Sequence, residues 1–350
     1  MSRLLAKTSD LINRIPGRTY LLIAIIIFGA ANAITRKVTE IGAQNLIDGR
    51  NPISFCNVLF VGNLCALILL IFIYGKQWKA YPLRQLSRTD WLSLIGVAIL
   101  AGALAPGLIF LALSLTNVNN VVLISRIEPP LTLALSILLL RERVNRWVIA
   151  GSVISFVGVA LTILLQKPQG SMVEMGGLQV GQGEVMVAVG AVSLAIATII
   201  SKVKLRDIPL GVFSIVRTVI GTVVFFAIAL TLYGPVHFID VFSPVLWQWM
   251  LLYSAIIVVV GQLCWLTGLK RTSASEVSLA NSFNPIVGIL AAYFILAEVP
   301  TLAQYIGGVV ILGGIALNQI GVVRQGATTP VVPQLSPAKE IDMEVGFKGL

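Results

Sequence analysis

Ten apolar runs set the terms for this chain, at about 19–35, 52–74, 91–115, 118–140, 147–166, 183–203, 210–233, 246–269, 274–296 and 301–323. Each is long enough to cross a hydrocarbon core about 30 Å thick at a rise of 1.5 Å per residue. Inside lipid every backbone N–H and C=O must find a partner within the protein, which leaves helices or a closed barrel. The runs do not alternate polar with apolar residues, so the barrel is disfavoured. Composition agrees: 57% of the residues are hydrophobic and 11% are charged, against about a quarter charged in ordinary soluble domains. A soluble fold could not hide so much apolar surface. The fold class expected is an all-α membrane protein.

The charges report topology. Net charge is +10, which invites a nucleic-acid reading, but the cations are spread between apolar runs and form no patch. With the N-terminus placed inside, 19 of the 25 Lys and Arg residues fall in inside segments. Arg36, Lys37, Arg50 and Lys167 fall outside, and Arg126 and Arg217 lie within spans. This is the positive-inside bias of a multi-pass protein with both termini cytoplasmic, its cations meeting anionic lipid. Residues 1–18 read as a cytoplasmic N-terminal segment, 167–182 as an outside loop rich in Gly and Gln, and 324–350 as a disordered cytoplasmic tail with Pro330, Pro333 and Pro337. Arg3, Lys7, Arg14 and Arg18 before an apolar stretch and Ala31-Asn32-Ala33 also resemble a secretory signal. The repeat described next needs this helix, so it is read as a span.

Pro129 and Glu142 recur 156 residues later as Pro285 and Glu298. At the same offset Gly151 matches Gly307 and Gly158 matches Gly314; the first helix and the sixth also align, with Lys37-Val38 opposite Lys202-Val203, 165 residues apart. Five helices are therefore repeated, 19–166 and 183–323. An odd number of spans makes the second copy enter the membrane from the opposite side. The hairpin Arg141-Glu142-Arg143 is basic and its counterpart Ala297-Glu298-Val299 carries no cation, the divergence that inversion demands. The expected architecture is ten transmembrane helices as two inverted-topology five-helix repeats, an arrangement secondary transporters use to enclose a midplane site.

Pro129, Glu142 and the Gly151…Gly158 helix, repeated as Pro285, Glu298 and Gly307…Gly314, resemble the EamA-like permease domain occurring twice. Similar proteins form the drug/metabolite transporter superfamily. The resemblance implies a permease that moves small metabolites, such as amino acids, related compounds or amphipathic drugs, often as an exporter across the bacterial inner membrane. The family's tryptophan-glycine pair in the first helix is represented by Phe28-Gly29, and the arginine frequent in the second helix of a repeat is present as Arg217 alone.

Glu128 stands out as a candidate for chemistry. It lies about 15 Å into the fourth span, where a carboxylate is costly unless it faces protein or water. Ser125, Glu128, Thr132 and Ser136 share one helical face, and their counterparts are Asn281, Asn284, Gly288 and Ala292. Two readings stand: a central cavity lined by both helices, with Glu128 as a proton carrier, or a packing seam of small residues with a permanently protonated Glu128. Arg126 sits about 200° around the helix from Glu128, so an easy pair is not expected, although Pro129-Pro130 blurs facing arguments. Arg217 either snorkels to the interface or stands in the cavity. Pro106, Pro129 and Pro285 interrupt helices and free carbonyls. Asn32, Gln262, Trp265 and Ser282 complete the candidate lining. Gly151/Gly158 and Gly307/Gly314 read as close-approach faces, within the bundle or in a homodimer, and Glu142 and Glu298 as dipole caps of helices five and ten.

Cys56, Cys65 and Cys264 lie in apolar runs and His237 is the sole histidine, so neither a metal site nor Ser-His-Asp chemistry is expected. No phosphate-cradling GxxxxGK[ST] stretch and no other cofactor motif is found. Energy would come from protons or a counter-substrate. The alternatives are a membrane-embedded sensor or scaffold, which would lack a substrate-sized cavity, and a membrane-bound transferase, which would need a cluster of catalytic groups at one face.

Overall fold

The computed structural model describes residues 16–80, 86–141, 144–166, 172–175, 178–204, 208–272 and 274–326. Its helices are α1 (Gly17–Gln44), α2 (Phe55–Ala80), α3 (Arg88–Leu115), α4 (Val118–Leu140), α5 (Arg146–Leu165), α6 (Gln182–Lys204), α7 (Leu210–Tyr233), α8 (244–271), α9 (274–296) and α10 (Leu302–Gly326). Among the described residues eight of these, all but α8 and α9, contain a stretch long and apolar enough to cross a membrane. The other two are composites. Pro244–Tyr253, a π-helical Ser254–Gly261 and Gln262–Arg271 make α8, and Ala274–Ser282 with Asn284–Leu296 make α9. Within the expected loop 167–182, Met172–Met175 pairs antiparallel with Leu178–Gly181. The expectations for Glu142, for residues 1–15 and for the tail 327–350 lie outside the described residues.

The interruptions recur in the second repeat. Pro106 follows a π-helical turn at Leu100–Leu104; a wide turn absorbs the donor that proline lacks. Its counterpart is the π-helical segment of α8. In α4 a 3-10 turn at Ser125–Ile127 ends the first piece, and the helix restarts at Glu128 with prolines in its first turn. In α9 the restart is at Asn284, again with proline in the first turn, where a missing N–H does no harm. Both helices end on a left-handed residue without being glycine: Arg141 at φ 52° and Ala297 at φ 56°. These are 156 residues apart, as are the extended Thr116 and Thr272 that close α3 and α8.

Helix packing obeys the same exchange. The extensive contacts are α5 with α10, α2 with α7, α1 with α8 and α9, α6 with α3 and α4, and α3 with α7. Swapping α1–α5 for α6–α10 turns each of these pairs into another contact of the molecule, although α8 with α2, the equivalent of α3 with α7, is smaller. The α5–α10 crossing runs antiparallel. A Cβ on Gly151 would lie 2.5 Å from the Gly314 carbonyl oxygen, and one on Gly158 2.9 Å from that of Gly307. Residue numbers rise along one helix as they fall along its equivalent, so the copies are inverted. Such backbone-to-backbone approach is available only to glycine.

Two apolar cores result. One is centred on α3, α4 and α6, through Leu94, Val97, Val121, Ile124 and Val187; the other on α1, α2 and α8, through Leu21, Ile25, Leu59, Met250 and Trp265. Each therefore joins helices of both repeats. α9 is shared, with Val277 and Ala280 in the second core and Ala291 and Ala292 in the first; α3 and α7 also reach both, α3 through Ala103 and Phe110 in the second. Large side chains left outside, such as Phe72, Leu138, Phe294 and Val309, suit contact with lipid.

Glu298 departs from the expected capping of helix ten. It accepts hydrogen bonds from the backbone of Val118 and Asn119, the latter at 3.4 Å, and so caps α4 of the other repeat. Partial burial raises its carboxyl above the usual range, against the lowering effect of those amides and of Arg36. A carboxyl with a raised native pKa binds its proton more readily folded than unfolded. Stability should thus be greatest below the ordinary carboxylate range and fall as pH rises through the raised value. Thermal unfolding in detergent between about pH 4 and 7 should show this slope, and Glu298→Gln should flatten it.

Candidate functional site

A cavity with about 730 Å³ of empty space, open solvent included, lies between the two cores. It is lined by Phe28, Gly29 and Asn32 of α1, Asn284 of α9, Pro106, Ile109 and Phe110 of α3, Val122, Ser125, Arg126, Glu128 and Pro129 of α4 and Leu194 of α6.

The helix breaks bring the polar groups together. Ser125 closes its own turn, its hydroxyl donating to the Val121 carbonyl at 2.6 Å. The 3-10 turn that follows is tighter than an α-turn, so the facing expected for Arg126 and Glu128 on a regular helix does not hold, and both residues line the cavity. Across from them, the absence of a side chain at Gly29 lets α9 approach: a Cβ there would stand 2.6 Å from Val287 and 3.2 Å from the Asn284 amide oxygen. Gly288 does the same for α4, where a Cβ would lie 2.9 Å from Val122. The result is a cation, a carboxylate, two amides and a hydroxyl set among two phenylalanines and aliphatic side chains. Such a lining can hold a small molecule that has both charged and apolar parts.

Other sequence candidates take different places. Thr132 and Asn281 are half-buried and Ser136 is buried, all outside the lining. The hydroxyl of Ser282 accepts from the Gln319 amide at 3.0 Å, tying α9 to α10. Arg217 is buried on α7 with its guanidinium 5.7 Å from the Phe213 ring centroid. Trp265 is fully buried behind Phe28, edge-on at 6.3 Å. The side chain of Gln262 lies outside the described residues. Ile109, Phe110, Val122 and Leu194 were not singled out from the sequence, because an apolar wall reads the same as an apolar core; Phe28-Gly29 was noted only as the counterpart of the family's tryptophan-glycine pair. Among the described residues no group of three or more His, Cys, Asp or Glu side chains could hold a metal ion.

Above the cavity, toward the α3–α4 turn, a buried polar network closes the bundle. The Thr116 hydroxyl and the Asn120 amide, the latter at 2.7 Å, donate to Glu184. Gln304 of α10 donates to the Asn120 amide oxygen at 2.6 Å. At the opposite end the exposed Arg18 pairs with Glu276. Gly17 abuts Thr272 there as Gly183 abuts Thr116 here, so the two clusters are equivalents under the repeat. Sequence reasoning passed over both, since polar residues at the ends of spans are ordinary.

The model of the EamA-like transporter family matches residues 15–164 and 181–319. An uncharacterized transporter of Synechocystis sp. is 49% identical over 333 residues, 95% of each chain. The uncharacterized transporter YyaM of Bacillus subtilis is 26% identical over 265 residues, 75% of this chain and 83% of its own. One crystal structure superposes with a TM-score of 0.53 at 18% identity, covering 89% of this chain and 99% of the other. That last likeness shows the fold alone.

Proposed function

This chain belongs to the EamA-like transporter family, and from that premise we propose that it is a secondary transporter that exports a small metabolite by alternating access. As a member of a family of transporters it is a multi-pass membrane protein with a small-molecule substrate. The observation that carries the finer reading is the cavity: Arg126, Glu128, Ser125, Asn32 and Asn284 meet within one space, about halfway along α4, where the two cores adjoin. The sequence repeats are 19–166 and 183–323, while the bodies that part are built across them, α3, α4 and α6 against α1 and α8, with α9 between.

The substrate sits between those bodies, its charged groups against Arg126 and Glu128 and its apolar part against Phe28 and Phe110. Amino acids, related metabolites and amphipathic drugs fit this lining. Glu128 is placed to carry a proton with the cargo or against it. The protein resides in the inner membrane with both termini cytoplasmic, as the distribution of Lys and Arg supports.

The test starts from purified protein and a metabolite library. A ligand at 100 times its Kd stabilises the folded state by about 2.7 kcal/mol, which a thermal-shift measurement detects. Ligands found this way are then loaded into proteoliposomes and a pH gradient is imposed. Gradient-dependent movement is the expected result. Ligands that bind and stay on their own side of the vesicle would overturn transport in favour of a sensor.

A further inference from the structure

We infer that Arg36 and Glu298 form the clamp that shuts the cavity at the end of the molecule bearing residues 113–119, and that this clamp opens and closes in the transport cycle. This rests on the transporter reading above.

Arg36 stands on α1 about two turns before its end, and α1 belongs chiefly to the core of α1, α2 and α8; Glu298 follows α9, the helix between the cores, whose C-terminal half packs with the core of α3, α4 and α6. Their target is the turn between α3 and α4, which belongs to the core of α3, α4 and α6. The Arg36 guanidinium donates from Nη1 to the Leu113 carbonyl and, at 3.1 Å, to the Thr116 carbonyl, at the C-terminus of α3. Glu298 accepts from the first amides of α4. A cation thus meets the negative end of one helix dipole and an anion the positive end of the next, each where it is favoured. The two residues hold a single turn by its two helix ends.

The arrangement has the properties of a closure rather than of a core. Arg36 and Glu298 are only half-buried, so water can take over their hydrogen bonds when they release. Below them the seal is a contact of small surfaces, Gly288 against Val122. Arg36 is also held at 3.1 Å by Glu40, one helical turn on. That keeps the guanidinium in position on α1 whether or not the α3–α4 turn is engaged. By contrast, the Glu184–Thr116–Asn120 cluster joins α6 to α3 and α4 within one core and travels with it.

The test reads access to the cavity and needs no substrate. In a chain whose three native cysteines are replaced by alanine, Ser125→Cys places a thiol in the lining. A membrane-impermeant cationic methanethiosulfonate is applied to one face in intact cells and to the other in inverted vesicles. With the clamp intact, labelling should be slow from the face bearing residues 113–119 and faster from the opposite face. Arg36→Ala and Glu298→Ala should each speed labelling from the first face by about fivefold or more, by moving the population toward the opened state. Asn119→Cys with Glu298→Cys, oxidised to a disulfide, should suppress labelling from that face and leave the other unchanged, which also shows that the variant is folded. If the opposite face labels Ser125→Cys and neither alanine variant alters the first face, the clamp is refuted while the cavity stands. If no variant is labelled from either face, the transporter reading fails and the clamp with it.

Discussion

Leucine in place of Gly158 will prevent this protein from accumulating in a folded, monodisperse form. A Cβ at that position would lie 2.7 Å from an Ile311 side-chain carbon, 2.8 Å from the Ile311 backbone nitrogen and 2.9 Å from the Gly307 carbonyl oxygen. Two of these three neighbours are backbone and cannot rotate away. α5 and α10 would have to separate, and their crossing is the most extensive helix–helix contact in the molecule. Overpacking of this kind costs about 1–3 kcal/mol for a few added carbons and more when backbones must move. Gly158→Ala should therefore lower the unfolding temperature measurably, and Gly158→Leu should abolish the sharp elution peak in size-exclusion chromatography. Gly313 on α10 has open space where its Cβ would go, so Gly313→Ala should change stability by less than about 0.5 kcal/mol. Equal effects at Gly158 and Gly313 would mean that the crossing is not what the fold depends on.

The second large effect concerns the cavity charges. Hydrogen bonds to a charged group contribute about 1.5–3 kcal/mol, so Arg126→Gln and Glu128→Gln should each weaken binding of a cognate ligand by about 10- to 100-fold. The pH response separates their roles. Arg126 stays charged at any working pH, and its loss should weaken transport at every pH alike. Glu128→Gln, if the residue carries the coupled proton, should leave transport indifferent to an imposed pH gradient. A Glu128→Gln protein whose gradient dependence matches the parent's would remove Glu128 as carrier. Trp265→Ala is the internal contrast. Trp265 is fully buried behind Phe28 and off the lining, so its truncation should cost about 3–5 kcal/mol of stability with a smaller change in the affinity of the protein that still folds.

Much of this architecture is legible in the bare chain because the membrane simplifies the physics. A helix in lipid needs an apolar run of fixed length, so most spans could be placed within a few residues; α3 begins at Arg88 against an expected 91 and ends at the expected Leu115, whereas α1 runs on to Gln44 against an expected 35. The 156-residue offset of Pro129 and Pro285 reappears in the backbone, as the left-handed Arg141 and Ala297 and the extended Thr116 and Thr272. What the chain did not disclose is of three kinds. The wide turns at Leu100–Leu104 and Ser254–Gly261 leave no compositional mark. Glu298 reaches across to α4 because of how the repeats interlock, which no local spacing encodes. The cavity's apolar wall cannot be told from core by residue type. Even Arg126 and Glu128, found as candidates, were expected to diverge; a 3-10 turn of three residues makes the difference.

The wide turn of α3 holds one residue more than a regular helix needs, and it lies one step before Pro106. A helix with such a surplus is a screw with a thread in reserve. Taking that residue back into regular winding would rotate everything beyond it by about 100°. Ile109 and Phe110 would swing off the wall they now form, while the stretch from Arg88 to Ile99 stayed seated. The equivalent surplus in α8 gives the opposite flank the same latitude. The pocket can therefore change its shape and its chemistry by twisting two rods in place, with no rod sliding through the lipid.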